Sequence, residues 1–459
     1  MASWDRRNAS EERRIQGRLL ERWLAAVSAS APYWQRHLEA AGIKPAKVDR
    51  VERLRAIPPV REVDVLGAGG SGAPALVLRP TEADVKARGS AATLLRVASD
   101  IRASGAAGKR QALLEEFKPI HLHEAGRDGD LAIAYSRSDL DRLHRTGARA
   151  AAVLGLTSDD YLVSAVPSSP TLQFWGLYHL ALGASVLAVH ARGHRDDLRA
   201  VARAWPLVPA TAVAVRTGEA ADLAHTLRGA GIGAGRVRTV VLAGPPPSPE
   251  DRAAIADAWQ QAGARPDVRV LAVWAPTSNR AVWAECSPDS GLHVYPDLEV
   301  VEVLDPTTGA PTDGRGDLTV TSVGWHGTVL VRYQTGDEVE GLATGACRNC
   351  GHTVPRVNAP VTQGAWEPVA DTGGAQVRLD LRGATAVLEP APDVSAWRVE
   401  LRRTRSGDGY VVELAGELDG PRLVEIDRTV ALAVGLEPAQ LVLAERDAVA
   451  AAPRFSDTR

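Results

Sequence analysis

The sequence predicts an α/β protein: a large N-terminal domain, residues 1–359, in which parallel-sheet α/β layers lead into a β-rich subdomain, and a small mobile α+β domain, 360–459. Three observations predict it. Between Leu131 and Gly244 short apolar runs alternate with amphipathic helical stretches, as in a parallel sheet covered by helices. After Trp283 the chain turns to strands separated by Gly/Pro turns. Past Pro360 it reads strand, strand, helix, strand.

Composition narrows the function classes. A chain of 459 residues with 45 % hydrophobic content is long enough for a large core and roughly two to four domains. A formal charge of −3 leaves no cationic surplus for a phosphate backbone or an anionic bilayer, so nucleic acid and membrane are set aside as partners. No stretch of signal-peptide type opens the chain, and apolar runs such as "LALGASVLAV" are too short to span a bilayer; the expected location is the cytoplasm. Three cysteines exclude a disulfide scaffold and suit a reducing compartment.

Taken in order, "ERRIQGRLLERWLAAVSAS" and "PYWQRHLEAAGI" carry apolar residues at helical spacing, and "VERLRAIPPVREVDVLG" carries a Pro-Pro break before an acidic turn. "GAGGSGAPALVLRPT" predicts a Gly-rich loop entering a short strand, and a helical, basic segment runs from Glu82 to Phe117. "DLAIAYS" predicts a strand, "SDLDRLHRTGARAAAVLGL" a helix opened by a Ser/Asp cap, and "DYLVSAVPSS" a strand. "LQFWGLYHLALGA" is helical and "SVLAVHA" extended. The alternation continues through "DDLRAVARAW", "ATAVAVR", "EAADLAHTLRGAGI" and "VRTVVLAG" to the capped helix "SPEDRAAIADAWQQAG" and the strand "VRVLAVWA". "LHVYPDLEVVEVLDPTTGAP", "GDLTVTSVG" and "TVLVRYQTGD" supply the β-rich part. In the last domain the strands "WRVELRRTR" and "YVVELAGE" flank the turn "SGDG", before the helix "GPRLVEIDRTVALAVG" and the strand "AQLVLAERD". No internal repeat or low-complexity linker interrupts the chain.

Two constellations carry chemistry. Cys347 and Cys350 form a Cys-x-x-Cys knuckle, and the remaining cysteine, Cys286, flanks a turn with His293. Three thiolates and an imidazole suit tetrahedral zinc with no open position, a structural rather than a catalytic site; His352 is the alternative fourth donor. Thr335-Gly336-Asp337 predicts a tight turn at a strand end, where a carboxylate can accept two hydrogen bonds from the vicinal hydroxyls of a ribose or serve the turn alone.

The run "GLHVYPDLEVVEVLDPTTGAP…GDLTVTSVG…VLVRYQTGD…CRNCGHTVPRV" resembles phenylacetate–CoA ligases and their relatives in the adenylate-forming superfamily. "PYWQRHLEAAGI…LRAIPPV" and "YSRSDLDRLHRTGARAAAVLGL" extend the resemblance over most of residues 20 to 357. It implies an enzyme that consumes ATP with magnesium and a carboxylic acid, forms an acyl-adenylate and swings its C-terminal domain to pass the acyl group to a thiol. It implies that Asp337, with Thr335 and Gly336, holds the ribose of AMP, that Trp274 stands at the position of a nucleotide-site tyrosine, and that Cys286, His293, Cys347 and Cys350 hold a structural zinc. "PSSPTLQFWGLYH" stands where such enzymes line the acyl pocket; Phe174, Trp175 and Tyr178 equally suit a helix core.

The departures from that pattern concern catalysis. Where a Ser/Thr/Gly-rich phosphate loop ending in Gly-Lys-Pro is expected, the chain reads "HEAGRDGDLAIAYSRSDL", with Glu124, Asp128 and Asp130 repelling a polyphosphate and Arg127 the one cation before the strand "DLAIAYS". Gly67–Pro74, "GAGGSGAP", is an alternative loop earlier in the chain. In "VWAPTSNR" Thr277 persists, but Ser278 replaces the magnesium-associated glutamate. "NAPVTQGAW" replaces the hinge motif Gly-Arg-x-Asp-Asp. No lysine follows Lys118; Ala451 stands at the expected catalytic lysine, and Arg454 is the nearby cation. The first reading is a ligase-like pseudoenzyme that binds a small carboxylic acid or nucleotide, or scaffolds a protein partner. The alternative is an active acid-activating ligase with a rearranged phosphate site using Arg127, Arg454 or Gly67–Pro74, with Thr277 in the site.

Overall fold

The computed structural model describes residues 5–66, 76–81, 83–84, 91–126, 131–192, 198–306, 308–359, 361–363, 366–370, 376–404, 407–434, 436–450 and 455–457. The chain divides into two units, Met1–Leu304 with Pro311–Thr362, and Asp305–Ala310 with Gln363–Arg459.

The first unit opens with the helix Ala9–Ser30, capped by the Asn8 side chain accepting from Glu11 N–H at 2.8 Å. Leu20, Trp23, Leu24 and Val27 fall on one face and are buried. The next helix, Pro32–Ala40, starts on a proline, which has no N–H to leave unpaired. Trp23 and Trp34 donate their indole N–H groups to the carbonyls of Trp325 and Val329 at 3.2 and 2.8 Å, and Gln16 donates to Pro296 O at 3.1 Å. The predicted strand in "ALVLRPT" is not formed: Val77 makes a single antiparallel bridge to Thr328, outside the named strands.

Strands β1 (Pro119–Ala125) and β2 (Leu131–Ser136) form an antiparallel hairpin. The alternation that follows gives β3 (Tyr161–Ser164), β4 (Leu187–His190), β5 (Ala212–Arg216), β6 (Thr239–Ala243) and β7 (Arg269–Trp274). These are mutually parallel, in the order β4-β3-β5-β6-β7. Near-continuous burial of β5 and β6 explains why their sequences are unbroken apolar runs. At β7 the direction rule changes. β8 (Trp283–Ala284) and β9 (Leu292–His293) add antiparallel. A second sheet carries β10 (Glu299–Leu304), β11 (Gly316–Ser322) and β12 (Tyr333–Val339), and β13 (Leu342–Ala343) and β14 (Arg356–Val357) complete the first sheet beside β9.

"TVLVRYQTGD" is extended only from Tyr333. Arg332 has φ +45°, and its buried guanidinium pairs with Glu302 at 3.0 Å and donates to the carbonyls of Arg55 and Ile57, so the chain turns there before pairing.

The helix Arg137–Leu154 is fixed by a capping box: Ser136 Oγ accepts from Asp139 N–H while the Asp139 carboxylate accepts from Ser136 N–H. The same carboxylate, fully buried, accepts from His326 and Gly327 N–H at 2.9 and 2.6 Å and lies 3.5 Å from Arg280. Arg280 sits over the rings of Tyr135 and Trp325, 4.5 and 5.0 Å from their centroids, and donates to the carbonyls of Thr328 and Ala134. One carboxylate thus joins a helix start to the loops around Arg280 and His326.

Helix Arg137–Leu154 crosses helix Leu172–Gly183 through glycines. A Cβ on Gly147 would stand 2.4 Å from His179 O, and one on Gly183 2.6 Å from Ala148 N. Gly147→Ala is expected to force the helices apart and to lower stability by about 1–3 kcal/mol. Urea unfolding measures it, and an unchanged midpoint would refute the close approach.

In the second unit strands Val394–Thr404 and Gly407–Gly416 pair antiparallel, flanked in parallel by Phe455–Asp457 and Gln440–Leu443. Ile426, Val430 and Val434 of helix Gly420–Val434 are buried in a core with Val399, Leu401, Val412 and Leu414. A hairpin of Trp366–Ala370 and Gln376–Asp380, and the helix Leu381–Leu388, precede these elements.

Candidate functional site

The cysteines come together where β8, β9 and the β13–β14 connection meet. Arg356 of β14 lies opposite His293 of β9, so the loop before it folds back over the strand carrying the histidine. Hydrogen bonds from Cys347 N–H to His352 O and from Gly351 N–H to Cys347 O, at 2.7 and 2.9 Å, close the knuckle. One ligand atom from each of Cys286, His293, Cys347 and Cys350 lies within 4.8 Å of the other three. Cys286 Sγ is 3.6 Å from Cys347 Sγ, and Cys350 Sγ is 3.3 Å from His293 Nε2. Tetrahedral coordination with Zn–S bonds of ~2.3 Å and Zn–N of ~2.0 Å spaces sulfurs ~3.8 Å apart and sulfur from nitrogen ~3.5 Å. The Cys286–Cys347 and Cys350–His293 pairs stand close to those spacings.

The imidazole is set for ligation. His293 Nδ1 lies 3.2 Å from Ala284 O, so Nδ1–H donates and the lone pair of Nε2 faces the sulfurs. Burial pulls this histidine down to about 4, which keeps it neutral. Burial pushes the Cys286 thiol up to about 12. At Cys347 burial acts the same way, but the N–H groups of Cys350 and Asn349 outweigh it and the thiol lies below its ordinary range. His352, the alternative donor, faces elsewhere: its Nε2 is 3.2 Å from the Asp5 carboxylate and its ring meets His293 edge-on at 5.8 Å. Thr353 N–H donates to Asp5 O at 2.7 Å and its hydroxyl to Arg7 O at 2.6 Å. The knuckle thereby pins the segment before the first helix.

Asp337 is not at the end of a strand. β12 runs through it: the pairing with β11 shifts from Thr319 opposite Gln334 to Asp317 opposite Glu338, leaving Thr335, Gly336 and Asp337 across from Leu318 alone. Strand pairing on both sides overrides the turn propensity and leaves a bulge, with Gly336 at φ +80° supplying the left-handed residue. The Thr335 hydroxyl donates to Leu318 O at 3.2 Å and accepts from Asp337 N–H at 3.1 Å.

Trp274, Thr277 and Ser278 lie at the carboxyl end of β7, on the side of an open α/β sheet where ligands bind. Trp274 ends β7, half-buried and edge-on to Trp283 at 5.9 Å. Thr277 is exposed, its hydroxyl 3.5 Å from Gly126 O, and its carbonyl accepts from His123 Nε2 at 3.0 Å. The loop after β7 is therefore tied to the β1–β2 hairpin. Ser278 is 4 % exposed. Glu124 is exposed and donates its N–H to Pro170 O at 2.6 Å. Arg127, Asp128, Asp130, Gly67–Pro74, Ala451 and Arg454 lie outside the described residues.

Helix Leu172–Gly183 divides its aromatic residues: Phe174 is buried, whereas Trp175 and Tyr178 are half-buried. Sequence reasoning passed over what meets them. His121 and His123 lie on one face of β1, with ring centroids 5.7 and 5.3 Å from Tyr135, and His121 is edge-on to Trp175 at 4.5 Å. The signal was His-x-His at strand period, which acquires meaning only once the strand's partner is known.

No family model matches the sequence, and no curated protein matches it. Among solved structures the chain is similar to 2-hydroxyisobutyryl-CoA ligase in complex with 2-HIB-AMP and CoA in the thioesterification state. The TM-score is 0.61 at 18 % identity, over 99 % of this chain and 91 % of that one. It is similar to an open conformation of the same ligase with those ligands at TM-score 0.61 and 17 % identity, over 98 % and 93 %. No helix among the described residues is long and apolar enough to cross a membrane. The chain has the adenylate-forming enzyme fold that 2-hydroxyisobutyryl-CoA ligase represents.

Proposed function

We propose that this is a phenylacetate–CoA ligase-like protein that has lost ordinary ATP-dependent acyl adenylation and acts as a binding or scaffold partner, keeping a pocket for a small carboxylic acid or a nucleotide. A missing cation carries the reading. No lysine follows Lys118, so no ammonium from the C-terminal part of the chain can meet the charge developing between carboxylate and α-phosphate. Loss of one such stabilising donor typically costs about 3–4 kcal/mol of barrier. Ser278 supports it further: a neutral hydroxyl where the resemblance expects a glutamate is a poor ligand for a magnesium ion. Cys286, His293, Cys347 and Cys350 would hold zinc as a staple. Four protein donors leave no open position, so the ion supplies rigidity between β9 and the knuckle.

The test is pyrophosphate exchange with ATP, magnesium and a panel of carboxylic acids. Exchange at the no-enzyme background is expected. Robust acid- and ATP-dependent exchange would overturn this reading in favour of an active ligase with a rearranged phosphate site.

A further inference from the structure

The four donors of the knuckle cluster fall into two pairs. Cys286 Sγ lies 3.6 Å from Cys347 Sγ, whereas Cys350 Sγ lies 3.3 Å from His293 Nε2, on the imidazole side of the cluster. One pair of sulfurs is thus set face to face, and the third sulfur meets a ring nitrogen. The facing sulfurs come from segments 61 residues apart. Those segments also touch through neighbouring side chains: Asn349 Nδ2 donates to Ser287 Oγ at 2.5 Å, next to Cys286 on one side and Cys350 on the other. That contact is made by protein groups alone. Bringing the sulfurs to a bonded distance of ~2.0 Å is therefore a movement of side chains within segments already docked.

Exposure orders the two sulfurs. Cys347 is 4 % exposed, while Cys286 is half-buried, so a small oxidant from solvent meets Cys286 first. An oxidised sulfur at Cys286 then has a sheltered thiolate beside it, the arrangement of an attacked cysteine and its resolving partner.

We propose that Cys286 and Cys347 form a peroxide-responsive disulfide site, whose oxidation links the two sulfurs and releases the metal. The Cys286 thiolate attacks one oxygen of hydrogen peroxide; the O–O bond breaks, hydroxide leaves and a sulfenic acid remains. The Cys347 thiolate attacks that sulfur; the S–S bond forms, the S–O bond breaks and a second hydroxide leaves. Two electrons pass from the sulfur pair to the peroxide, and two protons from solvent turn both hydroxides into water. One thiolate and one imidazole are left, too few donors for a closed tetrahedral site. The Cys286 turn and the knuckle stay joined, by a covalent bond in place of the ion. The proposal rests on the zinc reading of this cluster, which the zinc content before oxidation tests separately.

The experiment is a hydrogen peroxide titration of the full chain, reduced and loaded with zinc. Zinc is followed with a chromogenic chelator, thiols by alkylation and disulfides by mass spectrometry of unreduced peptides. Complete loss of zinc is expected in step with two of the three thiols, with a Cys286–Cys347 peptide link and Cys350 alkylated. Reduction by a dithiol and added zinc should restore the metal. Cys350→Ser, which has no third sulfur to exchange with, should form the same link. A wild-type link through Cys350, zinc retained after the disulfide has formed, or oxidation that runs to irreversible sulfinic acid would overturn the proposal. If the untreated chain takes up no zinc, the zinc reading fails and the peptide map still decides the pairing.

Discussion

Cys347→Ser is expected to cost the protein its zinc. The purified protein should carry stoichiometric zinc by elemental analysis, and the variant should lose it on dialysis, with affinity lower by on the order of a hundredfold or more. The reasoning is local: a serine hydroxyl is not a thiolate, and removing one donor of a closed tetrahedral set leaves a site that the remaining three hold poorly. Structural zinc sites contribute about 10–16 kcal/mol of apparent binding free energy in isolated fingers. Here β9 and β14 are already paired through Arg356 and His293, so the folded sheet supports the site and the stability loss should be several kcal/mol at most. Hydrogen exchange adds a second readout. Protection of Asp5–Arg7 depends on Thr353 and His352, next to the knuckle, and should fall when the metal leaves. His352→Ala should loosen the same segment while leaving zinc in place. Stoichiometric zinc in the Cys347 variant would refute the site.

Asp139→Ala should be the most destabilising substitution within the first unit's polar core, by about 3–5 kcal/mol in urea unfolding. It removes the acceptor for Ser136, His326 and Gly327 N–H and strands Arg280, 1 % exposed, without its counter-charge. Burial acts to raise this carboxyl, but Arg280 and the neighbouring donors hold it below the usual range. Arg280→Met alone should also destabilise. The double variant should lose less than the sum, because the two single changes each leave one buried charge that the other removes. Strict additivity, or a loss below about 1 kcal/mol for Asp139→Ala, would show that the ion pair is not the clamp described.

These two sites show what a sequence makes visible. The parallel strands were legible because their cores, Ala212 to Val215 and Val240 to Ala243, are buried on both faces and are apolar throughout. The cysteines attracted notice through their scarcity and the short knuckle spacing, although their approach depends on the pairing of β14 with β9. The Asp139–Arg280 pair was not legible. Its members are 141 residues apart and each looks like an ordinary surface charge; only the hairpin and the loop at Trp325 bury them. The bulge at Gly336 was read as a turn because Thr-Gly-Asp has turn chemistry, and local propensity carries no information about the strand alongside. His121 and His123 were missed for the same reason: a strand with half its residues exposed does not announce what covers the other half.

Three of the hydrogen bonds that dock the first two helices reach across nearly the whole large unit. Gln16, Trp23 and Trp34 find their acceptors at sequence separations of 280, 302 and 295 residues. A ribosome therefore delivers these helices long before the carbonyls that receive them, and two buried tryptophans have to wait through the synthesis of the intervening sheet. Closing so long a loop comes late and slowly, and the waiting apolar faces are open to wrong partners meanwhile. The amino-terminal helices are made first and fitted last, so the chain's exposure to misfolding is governed by elongation rate and chaperone supply as much as by the stability of the finished fold.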